Sequence, residues 1–156
     1  MANTSYLTKV VEPHLVRWLS KRIGVALAPR RLLVGRRADG SPAHFAFDGV
    51  SKNGKTAALV STSFTLKAGG ERKLFVDAAV LLKADLNARI MVFVSPQVME
   101  HFVNRCDGLL ELKNIEMVLA PPLSAEMKKR IEEIQAVAKR EVGDKGKKIV
   151  PGGRRR

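Results

Sequence analysis

From Ala43 to Ser63 the chain reads AHFAFDGVSKNGKTAALVSTS, two apolar runs joined by a polar turn with a single carboxylate, Asp48, inside the first run. In the first run Phe45 and Phe47 alternate with His44, Ala46 and Asp48. Successive strand residues point to opposite faces, so the carboxylate leaves the face opposite the two rings. Ser51-Lys52-Asn53-Gly54-Lys55 carries Asn-Gly, the strongest short-range hairpin signal. The run from Thr56 to Phe64 therefore returns antiparallel to the first. Whatever else the chain forms must be built around this hairpin.

Upstream, Leu7, Val10, Val11, Leu15, Trp18, Leu19 and Ile23 fall on one helical face. Pro13 interrupts it, because a proline inside a helix removes a hydrogen bond and crowds the preceding turn. A kink or a fresh helix start is expected there, with Glu12 at the N-terminus and Gly24 at the C-terminus. Arg31–Arg37 (RLLVGRR) and the turn Ala38-Asp39-Gly40-Ser41-Pro42 lead into the hairpin as a further strand.

Downstream, Ala68-Gly69-Gly70 breaks the pattern before a helix carrying Leu74, Ala78, Leu81 and Leu82. Ala88 to Val94 is a continuous apolar run of the kind found in strands covered on both faces. Ser95-Pro96 then opens a helix with Val98, Met99, Phe102 and Val103 inward. Asn114 to Ala120 is the last strand, and Ser124 caps a final helix with Met127, Ile131, Ile134 and Ala138 on one stripe. The order is α, a β meander, then α, β, α, β, α. It predicts an α/β fold, a mixed central β-sheet flanked by helices. The 156 residues fit one domain, 1–142, followed by a basic flexible tail, 143–156.

Charge is concentrated at the ends. The net charge is +13, of which residues 1–37 hold +7 and residues 139–156 hold +6, while the middle is neutral. Localised positive charge points to a polyanion, and nucleic acid is the expected partner. Arg30, Arg31, Arg36 and Arg37, with Lys147, Lys148, Arg154, Arg155 and Arg156, are the candidate phosphate contacts. No apolar run approaches the roughly 18 residues of a membrane span, and MANTSYLTK has no apolar signal core. A cytoplasmic protein without a membrane partner is expected. The single cysteine, Cys106, excludes an intramolecular disulfide and reads as a buried thiol. His14, His44 and His101 lack metal-ligand spacing, and there is no phosphate-binding loop or dinucleotide fingerprint.

The element order, the FDGVS segment from Phe47 to Ser51 and the following strand ending LVSTS resemble the restriction-endonuclease-like superfamily, the PD-(D/E)XK nucleases, and its Holliday-junction-resolvase-like and Mrr-like members in particular. The resemblance spans residues 7–138. It implies that Asp48 is the first metal-binding acid, and that the next strand carries a second acid and, two residues on, a lysine. Two carboxylates hold Mg²⁺ in such enzymes, and the lysine assists the attacking water or the developing oxyanion.

Here the second half of that motif is degenerate. Leu59 stands where the acid belongs and Ser61 where the lysine belongs, and a shift by one gives Val60 and Thr62. The resemblance therefore implies a nucleic-acid-associated pseudoenzyme that binds DNA through its basic segments and needs no cofactor. Two alternatives stay open. One is a Mg²⁺-dependent nuclease in which Asp48 is the metal ligand and a migrated acid and lysine, Glu71 and Lys73, complete the catalytic set, with Glu12 as a further acid and Lys67 in the connection. The other is a non-catalytic protein scaffold or partner subunit. Many proteins of this class dimerise, so a homodimer is a possible assembly. Glu71 also fits a simple helix-dipole role, and the backbone N–H groups after Lys67 fit a phosphate.

The charge distribution gives one expectation directly. DNA affinity should fall steeply as salt rises, because displaced counterions set the slope, and should weaken when residues 143–156 are removed. Fluorescence anisotropy from low to moderate salt measures both effects; a flat salt response would refute phosphate-led binding.

Overall fold

The computed structural model describes residues 4–149, with side chains described as far as residue 138. Five strands form one mixed sheet in the spatial order β1-β2-β3-β4-β5. They are β1 (Leu27–Arg36), β2 (Pro42–Ser51), β3 (Thr56–Ser61), β4 (Ala88–Phe93) and β5 (Glu116–Leu119). β1 pairs with β2 and β2 with β3 antiparallel, whereas β3, β4 and β5 run parallel. The helices are α1 (Glu12–Ile23), α2 (Ala68–Lys83), α3 (Pro96–Cys106) and α4 (Ala125–Ile149). The expected α/β architecture, a mixed sheet with helices on both faces, is the one observed. Among the described residues no helix is long and apolar enough to cross a membrane.

Strand alternation sorts the core into two layers. Ala57 and Leu59 of β3, with Met91 and Phe93 of β4, pack against Leu74, Ala78 and Leu81 of α2 and Val98, Phe102 and Cys106 of α3. Ala58, Val60, Ile90 and Val92 point the other way, onto Val11, Leu15, Val16 and Leu19 of the N-terminal helix and Ile131 of α4. Residues 90–93 of β4 are all buried, as the continuous apolar run required. Cys106 is a buried free thiol.

Pro13 is accommodated without a break. The chain opens as a π-helical turn, Leu7–Val11, and becomes α-helical at Glu12, with the proline in the first turn of α1. The wider π turn relieves the clash that a proline ring makes with the carbonyl four residues earlier. α1 ends on Gly24 at φ 70°, a left-handed cap whose N–H donates to the Ser20 carbonyl.

The hairpin between β2 and β3 also departs from the tightest form. Gly54 alone has positive φ, and its N–H donates to the Ser51 carbonyl at 2.9 Å. A two-residue type I′ turn needs positive φ at both central positions. The loop is instead a turn followed by a left-handed glycine, tied by Asn53 Oδ1 accepting from the Lys55 N–H and the Ser51 hydroxyl.

Several boundaries move for physical reasons. β1 begins at Leu27 because Pro29 lies at a register irregularity on an edge strand, where a missing N–H is tolerated. Gly69 and Gly70 lie inside the first turn of α2, where the N–H groups need no intrahelical partner, so the pair does not delay the helix. Val103 is 38% exposed on α3, outside the inward stripe of Val98 and Phe102. The tail expected from residue 143 is helical through Ile149. Gly143 and Gly146 weaken a helix by only about 1 kcal/mol each relative to alanine, and no proline occurs between Pro122 and Pro151.

At Gly49, next to Asp48, α1 packs close against the sheet. A Cβ there would lie 3.2 Å from both Leu27 Cβ and Val16 Cγ1, tight enough that both must give way. Gly49→Ala should therefore destabilise the fold by about 1 kcal/mol, at the lower end for overpacking. For a chain of this size that lowers Tm by about 2–4 °C. An unchanged melting curve would show that the contact is slack.

Candidate functional site

The β2–β3 pairing is short. Only Gly49 opposite Ala58 and Val50 opposite Ala57 are in ladder register, and beyond them the strands part. Asp48 sits at this parting. Its Oδ2 accepts the Val60 N–H at 2.8 Å, filling the place of the backbone carbonyl that a continued ladder would have offered.

The parting opens between the two helical layers. Glu12, at the start of α1, approaches from one face, while Lys73, Val76 and Asp77 of α2 approach from the other. Together with Phe45, Ala46, Asp48 and Leu59 they line a cleft of about 480 Å³. Lys73 Nζ donates to Asp77 Oδ2 at 2.9 Å, one helical turn along α2. Asp77 is buried, at 3% exposure, whereas most of the Lys73 side chain is open to solvent.

Electrostatics mark this cleft as under tension. Burial and then repulsion by Asp48 push Glu12 from its ordinary 4.5 to about 7, and Lys73 only partly offsets them. Asp48 is raised by burial, with Asp77 adding repulsion and the Val60 N–H and Lys73 opposing. Asp77 is raised by burial against the pull of Lys73. Three carboxylates and one ammonium thus share a half-dry space, an arrangement that favours a bound proton or a cation.

Glu71, expected at the site, is not in it. Its Oε2 lies 2.9 Å from His101 Nε2, and its Oε1 accepts from Arg105 Nε at 3.1 Å, so it ties the first turn of α2 to α3. Those two partners hold its carboxyl below the usual range. The reason is angular: Glu71 and Lys73 are two residues apart on a helix and cannot share a face. Lys73 does reach the cleft, as does Glu12. Leu59 is buried in the core, and the only polar group β3 brings to Asp48 is the Val60 N–H.

Asp77 escaped the sequence reading, although a signal was present. It falls between Leu74, Ala78 and Leu81, an acid on the apolar stripe of its own helix. Ionisable groups in such positions are seldom placed without a partner.

The basic candidates divide. Arg31 pairs opposite Ala46 and so shares the Asp48 face; Arg36, opposite Pro42, shares it too but donates to the Gly40 carbonyl at 3.0 Å. Arg30 faces the other way and is held by the Ser51 and Lys52 carbonyls. Arg37 is exposed beyond the strand. Lys147 and Lys148 belong to α4, with side chains outside the described set, and Arg154, Arg155 and Arg156 lie outside the described residues. No family model, curated protein or solved structure matches this chain.

The Glu12 shift carries a sign. A carboxyl raised in the fold is stabilising while protonated, below about pH 4.5, and that contribution is lost as pH rises through about 7. Glu12→Gln should leave stability near pH 4 unchanged. At pH 8 it should raise Tm by about 2–4 °C, corresponding to about 1 kcal/mol once screening at a half-exposed group is allowed for. Equal melting temperatures at pH 8 would rule out the repulsion.

Proposed function

We propose that this protein is a nucleic-acid phosphodiesterase of the restriction-endonuclease-like class, dependent on a divalent cation, in which the missing strand motif is replaced from the helices. The observation that carries it is the meeting of Glu12, Asp48, Asp77 and Lys73 in one cleft at the parting of β2 and β3. The donors suit Mg²⁺: hard carboxylate oxygens whose mutual repulsion a cation would relieve. Asp48 and Glu12 are the residues that would hold it. Bound there, Mg²⁺ would polarise the phosphate and supply an activated water.

The remaining roles belong to side chains. Lys73, exposed along most of its length, stands where it can meet a phosphate oxygen and neutralise charge developing in the displacement. Asp77 fixes the Lys73 ammonium through the helical-turn ion pair. Asp48 is held rigid by the Val60 N–H, which leaves its second oxygen for the cleft. Glu12, titrating near 7, must lose its proton before it can serve. Arg31, on the same face of the sheet, supports the backbone of the substrate.

A second reading has its own observation. Among the described residues no three His, Cys, Asp or Glu side chains close together as a metal-binding set. This favours a non-cleaving protein that uses the same surface to bind nucleic acid.

Cleavage assays separate the two. With labelled single-stranded, branched and duplex DNA and Mg²⁺, the first reading expects cleavage that chelator abolishes and Asp48→Asn reduces to background. Glu12→Gln, which removes one of the two proposed ligands, should raise the Mg²⁺ concentration needed for cutting. Salt-sensitive binding with no cleavage would establish the second reading instead.

A further inference from the structure

A second chamber adjoins the cleft and shares only Glu12 and Asp48 with it. It has a volume of about 260 Å³ and lies between the N-terminal helix and the start of β1. Its other lining residues are Thr8, Pro13, Val16, Arg17, Leu27, Ala28 and Pro29. Thr8, Glu12 and Val16 recur at four-residue spacing and line the chamber from the helix side. Pro13 and Pro29 are rigid rings on opposing elements, and Val16 forms a buried apolar floor. Its polar lining comprises the Thr8 hydroxyl, the Glu12 and Asp48 carboxylates and the Arg17 guanidinium, the last of which takes part in no hydrogen bond or ion pair among the described residues.

We infer that this chamber receives one unpaired base of the nucleic acid whose phosphate occupies the Glu12–Asp48 cleft, so the substrate is single-stranded or locally unpaired at the site of attack. The inference rests on the reading of that cleft as a phosphodiester site and adds the substrate class. The volume, about 260 Å³, lies just below the usual lower bound of about 300 Å³ for small-molecule pockets and leaves room for one planar base. Apolar Pro13, Val16, Leu27, Ala28 and Pro29 supply a surface for a base face, while Thr8, Arg17 and the two shared carboxylates supply polar groups for its edge.

A nuclease that only tracks a duplex backbone needs charge beside its acids and has no use for an apolar recess there. Bases in a continuous duplex are stacked inside the helix and cannot enter such a recess without leaving the stack. A free guanidinium at the mouth suits stacking on an extruded ring and pairing with the next phosphate.

The test uses the full chain, and each protein's fold is checked by its melting curve. The first arm compares Mg²⁺-dependent cutting of one labelled sequence, single-stranded and as a continuous duplex. The second arm keeps a divalent cation but replaces Mg²⁺ with Ca²⁺ to hold the strand without cutting, and titrates a short single-stranded oligonucleotide carrying a central 2-aminopurine, against the same strand with an abasic site. Expected are faster cutting of the single strand, a fluorescence change on binding, and affinity for the abasic strand lower by about tenfold. Ala28→Trp, at an exposed position on an edge strand, fills the chamber and should abolish both the fluorescence change and the abasic discrimination. Arg17→Ala, on the exposed side of α1, should weaken them severalfold. Equal affinity for intact and abasic strands, or an unaltered Ala28→Trp protein, would overturn the inference. If neither DNA is cut but the second arm behaves as expected, the catalytic reading fails and the base subsite stands.

Discussion

The hydrogen bond from the Val60 N–H to Asp48 Oδ2 is the constraint around which the candidate site is arranged. Where two antiparallel strands separate, the backbone donors of the departing strand lose their partners, and a buried unpaired N–H is expensive. Asp48 supplies the missing acceptor from its side chain. The same bond anchors a carboxylate in a half-buried place, where its charge is disfavoured by desolvation. The separation that makes the bond necessary also opens the cleft that Glu12 and Asp77 enter from opposite layers.

The rest of the fold keeps that opening in place. β4, buried on both faces, pins β3 through a six-residue parallel ladder, so β3 cannot shift to close the gap. Gly49 lets α1 lie close against β2, which brings Glu12 near Asp48. The π turn before Glu12 has a related effect. It changes the helical phase just ahead of the residue that must face the sheet, and such local irregularities often accompany functional side chains. On the opposite layer, Glu71 clamps α2 to α3 through His101 and Arg105, which fixes the helix that presents Lys73 and Asp77.

Charge is distributed on two scales. Over the chain as a whole, positive residues at both ends favour a polyanionic partner. Inside the cleft the balance is reversed, with three carboxylates against one lysine. A negatively charged cleft in a basic protein does not attract phosphate by itself. It becomes complementary to phosphate only with a cation between them, and this reversal is the electrostatic argument for metal dependence in the proposed function.

Much of the architecture is legible in the sequence because local chemistry specifies it. The alternating Phe45 and Phe47, the Asn53-Gly54 turn, the Ser95-Pro96 cap and the apolar run of β4 each state their structure within a few residues. Asp48 is legible for the same reason, as an acid in a strand next to a turn. The lack of a second acid on the next strand is equally visible, since Leu59, Val60, Ser61 and Thr62 carry no carboxylate. What only the tertiary structure decided is the company Asp48 keeps. Glu71 and Lys73 look equivalent along the chain, yet the pitch of α2 sends one to α3 and the other to the cleft. Glu12 and Asp77 are distant from Asp48 in sequence, on helices that pack against opposite faces of the sheet, and they meet it only because the sheet parts between them. Sequence periodicity records which face of an element is apolar; it does not record where two strands cease to pair, and that is the event that makes the site.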